Sequence, residues 1–312
     1  MARINEDSPA DRLTRQGMVA MVAATLLLPV GDALSKLLTG IVPPFDVTAW
    51  RTVMQAMFLI PVAILLRNRL TGAVFSWPAL LSGALISAAM FSLISAFQQM
   101  PIATAIAIFF IEPLLLTLLA APLLGEVPGR RRLIAVGIGL IGALIVIRPN
   151  LATFGPVALW PLGAALAFAL NMIVLRKATR TRSALSVQIG ATISAALLLI
   201  GVQVLAGVAF DRAIPNPFDL PAWAVGALLA AGALAAFTFV LIAVAFSKAE
   251  AGVLAPFQYL EIVGATIVGY LVFGDLPDAL TWLGTAIILG AGMYVFYRER
   301  QSGRGLTGQQ SS

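Results

Sequence analysis

Apolar residues run in long blocks along this chain, and polar residues gather in the short gaps between them. Blocks of about 20 residues, the length a helix needs to cross a bilayer, recur ten times. They cover 17–38, 46–66, 77–98, 102–124, 132–148, 156–175, 184–206, 221–246, 251–273 and 279–297. The gaps carry turn chemistry, as in "VPPFD" at 42–46, "GEVPGRRR" at 125–132 and "IPNPFD" at 214–219. The pattern predicts an all-α membrane protein with ten transmembrane helices.

Two of the blocks echo one another. The stretch "FFIEPLLLTLLAAPLLGEVP" at 109–128 returns as "QYLEIVGATIVGYLVFGDLP" at 258–277. Glu112 answers to Glu261, Gly125 to Gly274, Glu126 to Asp275 and Pro128 to Pro277, all at one offset of 149 residues. A repeat unit of five spans is odd, so its second copy must run through the membrane upside down. That is the sequence signature of an inverted repeat, whose halves can open a central site to one side and then to the other. The division expected is a cytoplasmic tail at 1–16, a first repeat at 17–148, a second repeat at 156–298 and a second cytoplasmic tail at 299–312.

Composition agrees with lipid as the solvent. The chain is 60% hydrophobic and 11% charged, with a mean hydropathy of +0.97, whereas a soluble domain is roughly a quarter charged. It contains no cysteine and no histidine, which excludes disulfides, thiolate or imidazole metal sites and the usual proton shuttle. No metal and no cofactor are expected. The net charge of +6 reflects basic residues in short loops; no basic, aromatic-interleaved patch suggests nucleic acid. The opening "MARINEDSPADRLTRQ" is followed by an apolar run without a small-residue cleavage site, so the first run reads as a retained span.

Lysine and arginine set the orientation. With the N-terminus inside, the inner loops and tails collect Arg3, Arg12, Arg15, Arg67, Arg69, Arg130, Arg131, Arg132, Arg176, Lys177, Arg180, Arg182, Lys248, Arg298, Arg300 and Arg304. The outer side receives only Lys36, Arg148 and Arg212, and Arg51 lies within span two. Both termini are therefore expected in the cytoplasm and the chain as multi-pass in the cell inner membrane.

Ten spans in a five-plus-five duplication, an arginine early in span two and a proline-rich span four closing with "LGEVP" before a glycine-rich span five resemble the EamA-like branch of the drug/metabolite transporter superfamily. The resemblance covers residues 17 to 298. It implies a basket of helices around a central cavity, with spans five and ten at the rim, and a secondary carrier of a small polar or ring-bearing metabolite. Amino-acid derivatives, or cofactors such as riboflavin and S-adenosylmethionine, are the substrate classes it brings. One position departs from the family pattern: Ile262 stands where span nine often has a proline matching Pro113. The kink of the second half is therefore expected at Pro256, displaced from its counterpart.

The candidate chemistry lies in the spans. Glu112 and Glu261 each sit about ten residues into a span, near the midplane, where a charged side chain costs on the order of 2.5–3.5 kcal/mol. Each is read as a ligand for a substrate amine, a proton site, or a protonated carboxyl that fixes packing. Asp32 and Lys36 are four apart on one helical face, as an ion pair at the outer mouth or with Asp32 lining the cavity. Asn171 holds a comparable place in span six. Gln98, Gln258 and Tyr259 supply hydrogen-bonding groups beside Gln99. Phe109, Phe110, Phe237, Phe239 and Phe257 are candidates for cavity-lining rings. Trp50 and Arg51 read as a belt anchor and a snorkelling arginine, or as a gate or carboxylate ligand. Pro113 and Pro256 are the candidate kinks.

The run "GIGLIG" at 137–142 matches a dinucleotide fingerprint, but it lies inside an apolar helix where small residues serve close packing. The sequence lacks a P-loop, H-E-x-x-H or G-x-S-x-G, so no ATP motor and no enzyme is expected. Transport would be driven by protons, by exchange or by the substrate's own gradient. The alternative is a membrane scaffold or sensor. Substrate identity, direction, coupling ion and the choice between monomer and homodimer are left open by the sequence.

Overall fold

The computed structural model describes residues 9–125, 129–211 and 216–307. Among the described residues the chain is helical and holds no strand. In order, the helices are α1 (Pro9–Leu38), α2 (Pro44–Leu65), α3 (Trp77–Gln99), α4 (Ile102–Phe109), α5 (Glu112–Leu124), α6 (Arg130–Phe154), α7 (Trp160–Ala178), α8 (Ala184–Phe210), α9 (Ala222–Lys248), α10 (Ala251–Gln258), α11 (Leu260–Phe273) and α12 (Ala279–Thr307). Glu126 and Pro128 of the first turn motif, together with Arg3 and Arg212 of the charge pattern, lie outside the described residues.

Eight helical segments among the described residues are long and apolar enough to cross a membrane. One of them, Arg130–Ala178, contains both α6 and α7, which meet at the 3-10 turn Gly155–Leu159. The apolar part of α12, Ala279–Val295, is shorter. The chain is a multi-pass membrane protein. Large apolar side chains such as Ile134, Ile138, Ile141 and Leu144 point outward from α6, as expected where the surrounding solvent is lipid.

Local chemistry explains the helix ends. Ser76 and Ser183 cap α3 and α8, accepting from the Ala79 and Ser186 amides at 3.4 and 3.2 Å and satisfying donors that the first turn leaves unpaired. Asp278 does the same for α12 through the Thr281 amide at 2.6 Å. The echoed glycines have one structural job: Gly125 and Gly274 both close their helices at φ +72°, in the left-handed region. Glycine adopts that conformation without the steric cost of a Cβ. The repeated "LGEVP" and "FGDLP" thus begin with the same helix stop.

Spans four and nine are not continuous helices. The fourth breaks at Phe110 and Ile111, between α4 and α5, and the ninth breaks at Tyr259, between α10 and α11. Phe110 and Tyr259 are themselves one repeat offset apart. The expectation of a kink displaced to Pro256 is therefore corrected: Pro256 lies inside α10, ahead of the break. In the first half Pro113 is the second residue of α5; it lacks an amide proton, and its ring opposes a continuous turn through Phe109. In the second half Ile262 carries an amide that bonds to the Tyr259 carbonyl at 3.2 Å, so the break does not depend on a proline there.

Helices pack closely where small residues allow it. α6 lies along α12: a Cβ on Gly142 would fall against Ile287 and the Gly284 carbonyl, and one on Gly284 against Val146 and the Gly142 carbonyl. Gly139, in the same "GIGLIG" run, faces Leu114 and Ala291, whereas Gly137 faces open space. α1 packs on α9 and α11, α7 on α3 and α5, and α2 on α8 and α9. The largest core cluster runs from α1–α4 through α6 and α7 to α11 and α12, which puts the two helix breaks inside the protein.

Candidate functional site

The two breaks meet. The Phe110 and Tyr259 rings are tilted against each other with centroids 5.3 Å apart. Phe109 extends the cluster edge-on to Phe110 at 6.2 Å and to Phe168 of α7 at 5.6 Å. Each break starts a new helix inside the protein, and the helix dipole favours negative charge in a first turn. Glu112 and Glu261 occupy the first turns of α5 and α11. The repeated acid is thus a helix-start acid in both halves.

Two polar atoms at this junction are buried without a hydrogen-bond partner: Glu112 Oε1 and the Tyr259 hydroxyl. The two side chains lie within electrostatic reach of each other. The Tyr259 hydroxyl is seated at Gly292 of α12, where any Cβ would collide with it. Buried polar groups are nearly always paired, which sets these two atoms apart from the rest of the interior.

A second cluster lies along the same broken helix. Arg51 of α2 reaches Asp32 of α1 at 3.5 Å and approaches the Met90 sulfur at 3.9 Å. Gly31 lies alongside it, where a Cβ would make ordinary contact with the guanidinium at 3.5 Å. Glu261 is within electrostatic reach of Asp32. Asp32 thus has Arg51 as its positive neighbour, whereas Glu112 and Glu261 stand in the turns after the two breaks.

Several sequence-based expectations are corrected here. Asp32 and Lys36 do not pair with each other. Lys36 instead bonds to Asp275 at 2.8 Å and to the Met100 carbonyl at 3.1 Å, with its ammonium 4.6 Å from the centre of the Phe273 ring. Arg51 does not snorkel, being only 6% exposed, and Trp50 is no interfacial anchor, because it is 7% exposed and part of the core.

The remaining candidates are spread more widely. Asn171 is fully buried on α7, where it accepts a hydrogen bond from Ser82 of α3 while its amide nitrogen has no partner. Gln98 and Gln99 are exposed at the end of α3, and Gln98 donates to the Thr39 carbonyl at 3.1 Å. Gln258 is half-buried at the end of α10. Of the candidate rings, Phe109 and Phe110 belong to the junction, Phe237 faces outward, Phe239 is half-buried and Phe257 packs beside Met21 and Leu254. Phe168, Met90 and Asp275 were missed as site residues. The repeat pointed to Asp275 by its offset; nothing in the sequence singled out the other two.

The profile of the EamA-like transporter family matches the chain twice, over residues 15–148 and 155–297. An S-adenosylmethionine uptake transporter of Rickettsia prowazekii is 27% identical over 273 residues, spanning 88% of this chain and 90% of its own. A riboflavin transporter of Rhizobium johnstonii is 26% identical over 309 residues, spanning 97% and 99%. A solved crystal structure with a TM-score of 0.61 and 20% identity covers 92% of this chain and 98% of its own, and shares the fold alone.

Proposed function

This chain belongs to the EamA-like transporter family, and from that premise we propose a secondary carrier that moves a small ring-bearing or polar metabolite by alternating access. It is a membrane transporter of a metabolite and not an enzyme. S-adenosylmethionine and riboflavin, the cargoes named for its relatives, are the first substrates to test.

The observation that carries the mechanism is the meeting of two broken helices at equivalent positions, each with an acid in the turn after the break. Discontinuous helices that meet near the midplane build binding sites in carriers with inverted repeats. The proposed architecture is ten spans in two five-span repeats, 17–148 and 156–298, around a central site, with the tails 1–16 and 299–312 and both termini cytoplasmic, in the inner membrane. Several features support it. α6 and α7 are separate helices, α1 packs on α9 and α11 as α7 packs on α3 and α5, and the family profile matches twice.

Glu112, Glu261, Asp32 and Tyr259 are the proposed substrate or proton ligands, with Arg51 as a charged partner. Pro113 with Phe110 and Tyr259 sets the breaks. Asn171 and Gln258 flank the site through α7 and α10. Gln98 lies at the end of the fold that holds Lys36, Met100 and Asp275, and that end is the proposed outer gate.

The test is uptake into proteoliposomes made with the full chain. Saturable accumulation of radiolabelled S-adenosylmethionine or riboflavin, accelerated by the same unlabelled compound inside, is the expected result. Absence of counterflow for every metabolite in a panel of vitamins, nucleosides and amino-acid derivatives would overturn the carrier reading.

A further inference from the structure

We infer that the site at the two helix breaks is built for a ring-bearing cation, with Glu112 and Tyr259 taking the positive group and the surrounding rings taking the planar one. The inference deepens the transport reading and rests on it.

Charge is the first ground. Asp32 pairs with the Arg51 guanidinium, and among the described residues neither Glu112 nor Glu261 has an ion pair. Arg51 is already engaged with Asp32. Glu112 therefore has no protein cation of its own, and one of its oxygens has no hydrogen-bond partner at all. An ionised carboxylate buried there without a partner is costly, and a positive group that arrives offsets that cost.

The second ground is the Tyr259 hydroxyl. It is the other unpartnered polar atom at the junction, on a side chain 8% exposed. A ligand sulfonium that reached Glu112 would come within electrostatic reach of this tyrosine. Its ring and that of Phe110, 5.3 Å away, present aromatic faces, which attract cations once water is excluded. Phe109 and Phe168 continue the ring cluster from Phe110. A compound with a charged end and a flat end fits that order of groups.

A neutral ring compound meets the same rings but leaves the carboxylate unmatched. Sites built to satisfy a polar group reject analogues that lack it far more strongly than apolar sites reject a missing methylene. The arrangement therefore favours S-adenosylmethionine over riboflavin, the two cargoes named for the relatives. Both carry rings, and only the former carries a sulfonium.

The experiment uses matched ligands on the purified full chain. S-adenosylmethionine and S-adenosylhomocysteine share the adenosine and the amino-acid group, and differ by the methyl that makes the sulfur positive. Binding is read by calorimetry and thermal shift, with riboflavin as the uncharged tricycle. Expected is at least tenfold tighter binding of S-adenosylmethionine than of either neutral-sulfur or flavin probe. Glu112→Gln is expected to bring that ratio close to one, and Tyr259→Phe to reduce it severalfold. Equal binding of the matched pair, or tighter binding of riboflavin, would overturn the cation inference and leave the carrier reading standing. If none of the three probes binds or is transported, the cation inference falls. The carrier reading then stands or falls on the wider counterflow panel. If Glu112→Gln fails to fold, the wild-type ratio and Tyr259→Phe still decide.

Discussion

The ammonium of Lys36 lies 2.8 Å from the carboxylate of Asp275, joining the last turn of α1 to the turn that follows α11. The same ammonium takes the Met100 carbonyl, between α3 and α4. One side chain thus ties three segments together at one end of the fold.

If this tie holds one end of the carrier shut, its loss shifts the open–closed balance. A partly exposed ion pair is worth about 1 kcal/mol at most, which is roughly a fivefold change in an equilibrium. The chain has no cysteine, so Ala103→Cys, at a buried position in the first turn of α4, provides a single reporter. In Lys36→Gln or Asp275→Asn, an impermeant thiol reagent applied from that face should label it about fivefold faster. The exchange Lys36→Asp with Asp275→Lys should slow labelling again. Unchanged labelling in both single variants would remove the gate from the mechanism.

The paired glycine stops make a cleaner stability prediction. A Cβ at Gly274 meets nothing within 4 Å, so Gly274→Ala tests the left-handed backbone alone. The cost should be about 1 kcal/mol, read as a lower melting temperature in detergent, and Gly274→Asn should lose less. Gly125→Ala should behave alike, because its backbone and its open surroundings are the same.

The glycines of "GIGLIG" are not equivalent. Gly142→Val should cost 2 kcal/mol or more by forcing α6 away from α12, on the scale of about 1–3 kcal/mol for overpacking. Gly137→Ala should be neutral or slightly stabilising, since its Cβ would enter open space and alanine is the better helix former. A dinucleotide-binding role would make neither variant diagnostic in thermal melting but would abolish nucleotide binding. A packing role gives the opposite pattern.

Asp32 and Arg51 should be energetically coupled. Both side chains are buried, at 13% and 8% exposure, so removing one charge strands the other, at a cost of about 3 kcal/mol. Asp32→Asn and Arg51→Gln should each lower stability by about that amount, and the double variant should lose at least 1 kcal/mol less than their sum. Additive losses would place the two residues in separate environments.

Much of the candidate site was visible beforehand, but not its connections. Glu112 and Glu261 stood out because a midplane carboxylate is costly, and Tyr259 stood out as a hydrogen-bonding group in span nine. The meeting of Phe110 with Tyr259 could not be read, because contact between the two breaks depends on how α4 and α11 cross. Lys36 shows the same limit: helical spacing put it on the face of Asp32, yet its partner lies 239 residues away.

The sequence by itself determined the apolar helices, the membrane as their solvent, the glycine stops at 125 and 274 and the acids at 112 and 261. These follow from local rules: a helix satisfies its own backbone in lipid, and glycine alone enters the left-handed region freely. Tertiary structure decided where spans four and nine break, which acid keeps Arg51 and which loses a partner, and what Lys36 holds. These choices depend on helix crossings, and a crossing is fixed by close packing among side chains far apart in the chain.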